Sequence, residues 1–141
     1  YVLLLILLTP TAFWMYKNHP YQYVYFNFTA GKNFNENFEM DYYGVSNKDL
    51  LENLAKESNT KIKVFNLSTT DLLLSKSMLK KDLRDKIEIV GDIDKANYVT
   101  NNYRDWTGKI YPSKFFIPDN FEILYKIKVD DVSINTIYKK R

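Results

Sequence analysis

The chain has no cysteine. Disulfides, thiolate metal ligands and cysteine nucleophiles are therefore excluded. This absence leaves the compartment open, because a large extracytoplasmic domain can fold without bridges. Histidine is almost absent too. His19 is the single one among 141 residues, so a His-rich zinc site is excluded. Neither charge dominates: 20 Lys and Arg against 17 Asp and Glu leave a net charge of +3. That is too small for the basic face of a dedicated nucleic-acid binder, and no nucleic-acid partner is expected. Lys139, Lys140 and Arg141 read as a solvated basic end. The four glycines form no phosphate-cradling loop, and neither H-E-x-x-H nor G-x-S-x-G occurs. No ligand spacing of the EF-hand kind is present either. No metal and no cofactor is expected.

A complete membrane-spanning run is also missing. Tyr1 to Leu8 is unbroken apolar sequence, and Thr9 to Tyr16 continues it with Pro10 inside. A spanning helix needs about 20 apolar residues. No basic segment precedes the run and no small-residue cleavage site follows it, so it does not read as a signal peptide. The run is apolar on every face, whereas a surface helix is amphipathic. The expectation is that residues 1–16 are the last part of a transmembrane helix. A helix buried in the core is the alternative, since the length rule also allows it.

An aromatic stretch comes next. HPYQYVYFN, His19 to Asn27, holds three tyrosines and a phenylalanine. Trp and Tyr concentrate at membrane–water interfaces, where an apolar ring and a polar tip are both satisfied. Trp14, Tyr16, Tyr21, Tyr23 and Tyr25 therefore read as an interfacial anchor, with membrane lipid as partner. Residues 17–45 form an aromatic juxtamembrane segment on this reading. Residues 21–28 should be a short helix or extended, and 30–37 a loop.

Beyond it, residues 46–141 read as one α/β domain. Ser46 is a good N-cap, Asp49 completes an imperfect capping box, and Val45 with Leu50 is spaced as a hydrophobic staple. Leu50, Leu51, Leu54 and Ala55 make the apolar stripe of a helix that should stop near Asn59. Residues 61–67 alternate as a strand. Residues 71–81 read as a second helix capped by Thr70. Residues 86–90 and 96–103 read as strands around a GDID turn, whose Asp92 and Asp94 are turn formers. FEILYKIKVDDVSINTIYKK makes a hairpin turning at Asp130-Asp131. Its expected pairs are Val129–Val132, Ile127–Ile134, Tyr125–Thr136 and Ile123–Tyr138. A type I′ turn would require φ > 0 at both aspartates. The expected fold class is α/β: a small mixed sheet with two main helices and a C-terminal β-hairpin, preceded by the end of a transmembrane helix.

No specific catalytic constellation is present. Glu39 and Asp41 would share one side of an extended segment, as paired acid and base or simply as a solvated or capping pair. Arg104-Asp105-Trp106 offers a polar contact beside an aromatic platform, or a surface ion pair. His19, before Pro20, would cap the C-terminus of the apolar helix, where a cation suits the dipole. A phosphate contact or proton relay is the functional alternative for it.

Several segments together resemble a known group. His19 to Tyr23, Tyr25 to Asn27 and Phe38 to Gly44 (FEMDYYG) are similar to the stretch after the last transmembrane helix of certain bacterial membrane glycosyltransferases. These belong to, or stand near, the dolichyl-phosphate-mannose–protein mannosyltransferase family. Ala96 to Arg104 and Ile127 to Lys140 resemble the end of the same domain. Tyr43 stands where the pattern often has Trp, and Asp131 where it often has Gly. The resemblance implies a polytopic enzyme that takes sugar from a polyprenyl-phosphate donor. Its acidic catalytic residue would lie in an early loop outside this chain, so none is carried over here. The chain would be a non-catalytic extracytoplasmic domain at the cell membrane. Its contacts to lipid-linked sugar, acceptor or bilayer surface would come from His19, Tyr21, Tyr23, Tyr25, Asn27, Glu39, Asp41, Tyr42, Tyr43 and Arg104. A membrane-tethered binding module without enzyme activity is the alternative.

Overall fold

A computed structural model describes residues 1–26, 38–104 and 116–141. Asn27, the expected loop at 30–37, and Asp105 with Trp106 lie outside these residues.

The fold is α/β, with a five-stranded mixed sheet. Helix α1 spans Val2–Lys17 and a 3-10 turn spans Gln22–Val24. Helix α2 is Val45–Glu57, followed by β1 at Ile62–Asn66. The expected second helix is two short ones, α3 at Leu72–Ser77 and α4 at Lys81–Arg84. Lys80 between them is extended, with ψ 148. Ser77 turns its hydroxyl back to the Leu74 carbonyl at 2.7 Å, a local bond that competes with helix continuation. Strands β2 (Ile87–Val90), β3 (Tyr98–Asn101), β4 (Phe121–Val129) and β5 (Val132–Lys140) complete the chain. Sheet order is β2-β1-β3-β5-β4; β1 is parallel to both β2 and β3, and β5 is antiparallel to β3 and β4.

The core forms where the α2 stripe meets the sheet. Leu50, Leu51, Leu54 and Ala55 are buried with Ile62, Val64, Ile87 and Ile137. Leu72, Leu79 and Leu83 from α3 and α4 close the same cluster. Each buried Leu, Ile or Val side chain contributes about 1.5–3 kcal/mol by leaving water. Leu50→Ala is expected to cost about 2–5 kcal/mol, the usual range for a buried Leu truncated to Ala. The measurement is a lowered urea midpoint with an unchanged slope.

Two caps differ from expectation. Gly44, in the left-handed conformation at φ 65, is the N-cap of α2. Ser46 is inside the helix and fully buried, and its hydroxyl donates to Asp41 Oδ2 at 2.5 Å. Asp71, not Thr70, caps α3, accepting from the N–H groups of Leu73 and Leu74 at 2.8 and 3.1 Å.

The hairpin is present, but its register is not the simple one. Val129 faces Val132 and Ile123 faces Tyr138, as expected. Between them Ile127 faces Asn135 and Tyr125 faces Ile137. Two bulges explain this: Ile134 is extra on β5 and Leu124 is extra on β4, so the offsets cancel. The first bulge lets Ile134 enter a second core cluster with Val24, Met40 and Val129, while Ile137 stays in the first. At the turn only Asp130 has positive φ, at 50, so it is not type I′.

Helix α1 has no buried residue, so it is not a core helix. Among the described residues no helix is long and apolar enough to cross a membrane. Its 16 residues span roughly 24 Å at 1.5 Å per residue. Its C-terminal end is fixed to the hairpin tip. Trp14 Nε1 donates to Asp130 Oδ2 at 2.7 Å, and Lys17 Nζ lies 3.5 Å from Oδ1. Trp14 also packs on Tyr25 with ring centres 5.0 Å apart. Asn18, not His19, closes the helix: its backbone and side-chain N–H groups reach the Trp14 carbonyl at 3.0 and 3.1 Å. His19 instead places Nδ1 2.6 Å from Gln22 Nε2.

Candidate functional site

Strands β1 and β3 run in the same direction and end at Asn66 and Asn101. Strand β5 is antiparallel to them and begins at the same edge. Helix α2 starts there too, since Asn47 in its first turn reaches Thr70 beyond β1 at 2.9 Å. In open α/β sheets the carboxyl edge of parallel strands is where ligands bind. In this chain the edge is filled by polar side chains.

Asp41 is at the centre. It is 1 % exposed. Its carboxylate accepts from the Tyr23 hydroxyl at 2.5 Å, from Ser46 Oγ at 2.5 Å and from Asn102 Nδ2 at 3.3 Å. The Ser46 backbone N–H also donates to it, so Asp41 supplies the side-chain cap that Gly44 cannot. Asn102 Nδ2 donates to the Asp41 carbonyl as well, at 2.9 Å. Burial pushes the Asp41 carboxyl above the ordinary value of 3.8, while the bonds from Ser46, Tyr23 and Asn102 pull the other way. No cation contacts the carboxylate among the described residues, so desolvation wins. The Tyr23 phenol is also raised, by burial first and then by the Asp41 charge, and stays a donor.

From Asp41 the bonds continue as a chain. Asn135 Nδ2 reaches Ser46 Oγ at 2.8 Å and Asn47 Oδ1 at 2.7 Å. Asn47 passes on to Thr70, whose hydroxyl lies 3.2 Å from Ser68 Oγ. Ser68 and Thr100 both donate to Asn66 Oδ1, at 2.9 and 3.3 Å. The network thus joins the segment after α1 to α2, β1, β3 and β5. Two buried acceptors within it, Asn102 Oδ1 and Asn135 Oδ1, lack a hydrogen-bond donor.

A second, more open group lies beside it. Arg104 Nε is 3.3 Å from Glu39 Oε2. Its Nη1 donates to the Tyr42 carbonyl at 3.0 Å, and the guanidinium stacks 4.1 Å from the Tyr42 ring centre. Tyr43 meets Tyr42 edge-on at 5.1 Å and Tyr23 at 6.4 Å. Tyr42 and Tyr43 are exposed. Glu39 and Asp41 therefore do not share a side. Residues 40–43 form a turn rather than an extended segment, which sends Asp41 inward and leaves Glu39 to Arg104. Aromatic faces beside a carboxylate and a guanidinium can hold a polar ligand with an apolar face, such as a sugar ring.

The structure thus gathers Tyr23, Glu39, Asp41, Tyr42, Tyr43 and Arg104. Tyr21 is near, donating to Asp49 Oδ2 at 2.6 Å, and burial with that bond raises its phenol. Asp49 is thereby a partner of Tyr21 rather than the capping residue of α2. Tyr25 sits apart, 3.1 Å from Thr11 Oγ1 on α1, and His19 is apart as well. Sequence reasoning missed Ser46, Asn47, Thr70, Asn101, Asn102 and Asn135. One signal was available: Asn101-Asn102 directly follow β-branched Val99 and Thr100 at a strand end. Tyr103 next to them has φ 61 and is held by its N–H on Asn101 Oδ1 at 2.8 Å and its hydroxyl on Thr136. A bulky residue in that conformation costs about 1–2 kcal/mol, and such strain clusters at functional sites. Among the described residues no three His, Asp or Glu side chains converge as a metal site requires. Comparison with known protein families, characterised proteins and solved structures finds no match.

Proposed function

We propose that the chain is the non-catalytic extracytoplasmic C-terminal domain of a polytopic membrane glycosyltransferase that uses a polyprenyl-phosphate sugar donor. One observation carries the reading. The segments that bear the resemblance are far apart in sequence, yet they meet at one edge of the sheet. Tyr23 comes from the first, Asp41 and Tyr42 from the second, and Asn102 and Arg104 from the third. Ordinary core packing does not require that conjunction. The exposed, largely apolar α1 supports the membrane part of the reading, because a long exposed apolar face is favoured out of water. The open group around Arg104 would hold acceptor or lipid-linked sugar and leave the chemistry to the membrane body.

The test uses the complete protein in its membrane, assayed for sugar transfer from a polyprenyl-phosphate donor. Tyr42→Ala with Arg104→Ala should raise KM on the order of tenfold and leave kcat nearly unchanged, the pattern of lost uniform binding. A fall in kcat of several orders of magnitude would show that the chemistry lies in this domain. Absence of any sugar transfer by the unmodified protein would favour a tethered interaction module.

A further inference from the structure

The geometry points to a second membrane contact: the exposed apolar patch made by Leu74 of α3 and its C-cap Met78 with Tyr43 beside them rests in the interface of the bilayer that holds α1. The inference deepens the membrane reading above and rests on it.

Helix α3 buries Leu72 and Ser75 and leaves Leu73, Leu74 and Met78 at 64, 55 and 58 % exposure. Tyr43 is 76 % exposed and lines, with Leu74, Met78 and Val45, a pocket of about 160 Å³. Tyr43, Leu74 and Met78 therefore form one patch, with no protein to cover it among the described residues, while Leu73 faces a separate cavity beside Lys61 and Ile87. Isolated apolar side chains on a surface need no account, but a contiguous patch marks an interaction site.

Position selects the occupant. Asp71, the cap of α3, follows β1 by five residues and shares the pocket with Gly44 and Val45 at the start of α2. Leu74 thus stands on the carboxyl edge of β1 and β3. The hairpin tip stands on that same edge, and the tip is where Trp14 and Lys17 fasten α1. A membrane that receives α1 therefore lies against the edge that carries the patch. Charge agrees. Lys48 lines the same pocket as Leu74 and Met78, with Asp71 the one acid beside it among the described residues. Apolar side chains beside a lysine suit the boundary between acyl chains and anionic headgroups. With α1 as one support and this patch as the other, the Tyr42–Arg104 group is held at the lipid surface, where a lipid-linked substrate presents its head.

The absence of cysteine makes a clean experiment possible. The full chain is reconstituted into vesicles containing anionic phosphatidylglycerol. Single variants Leu5→Cys, Leu74→Cys, Met78→Cys and Lys95→Cys each carry an environment-sensitive dye. Lys95 precedes β3, at the other edge, and reports water. The dyes at 74 and 78 should shift to the blue and be quenched by lipids with spin labels about 5–10 Å below the phosphates; the dye at 95 should not. Quenching at 5 with none at 74 or 78 overturns the second contact and leaves the anchor. No quenching at 5 overturns the anchor and this inference together. A blue shift at 74 that grows with protein concentration and resists lipid quenchers would assign the patch to a second copy of the chain instead.

Discussion

Asp41→Ala should lower the stability of the domain by about 2–4 kcal/mol, because buried donors lose their acceptor. Tyr23 and Ser46 hydroxyls and the Asn102 amide all point at this carboxylate. Core burial elsewhere is untouched, so the loss would be read as a lower urea midpoint with nearly the same slope. Asp41→Asn should cost far less, since an amide still accepts from one hydroxyl and donates to the other. The pH dependence separates the two contributions. Burial raises the folded carboxyl above its ordinary 3.8, so the folded state binds the proton more tightly than the unfolded chain. The protonated form is therefore the stabilised one. This contribution is complete below the unfolded pKa and is lost as pH rises from there through the raised folded value. The stability advantage of the native protein over Asp41→Asn should accordingly shrink as pH rises above about 4. An advantage that grows with pH would mean that the hydrogen bonds outweigh burial and that Asp41 is a stabilised anion.

Gly44→Ala is the second large effect. The position has φ 65, where a side chain costs about 1–2 kcal/mol. An added Cβ would also lie 2.9 Å from Asn47 Nδ2 and 3.0 Å from Thr70 Cβ. Those two residues are hydrogen-bonded to each other and buried, so neither can yield without breaking the network. Overpacking of this kind adds about 1–3 kcal/mol. A combined loss of roughly 2–5 kcal/mol is expected, with a fall in Tm of ten degrees or more for a domain of this size. Gly91→Ala is the control, since a Cβ there meets nothing within 4 Å. Equal Tm values for the two variants would show that the α2 start relaxes freely and that the buried network does not depend on that close approach.

The legible and illegible parts differ for a physical reason. The α2 stripe and the alternating strands were legible because burial imposes a period on local sequence. The hairpin was legible for the same reason. Its register was not, because the bulge at Ile134 answers a demand from outside the hairpin: Asn135 has to reach Ser46 and Asn47 while Ile134 reaches Val24 and Met40. Ser46 looked like a cap because Ser-x-x-Asp is a good local pattern. Asp41, five residues earlier, takes its hydroxyl instead. Glu39, Asp41, Tyr42 and Arg104 were each recognisable by residue type. Their grouping was not, because 62 residues separate Tyr42 from Arg104 and no local rule spans that distance.

The sequence alone determined the α/β class, the absence of thiol and histidine-rich chemistry, and an apolar first helix without a polar face. Those follow from composition and periodicity, which act residue by residue. Only tertiary structure decided that the first helix is fastened to the hairpin tip and that Asp41 is an internal acceptor. It alone decided that the polar residues of five elements meet at one sheet edge. Each of these depends on contacts between residues distant in the chain, made where the strands' carboxyl ends, the start of α2 and the turn before it converge.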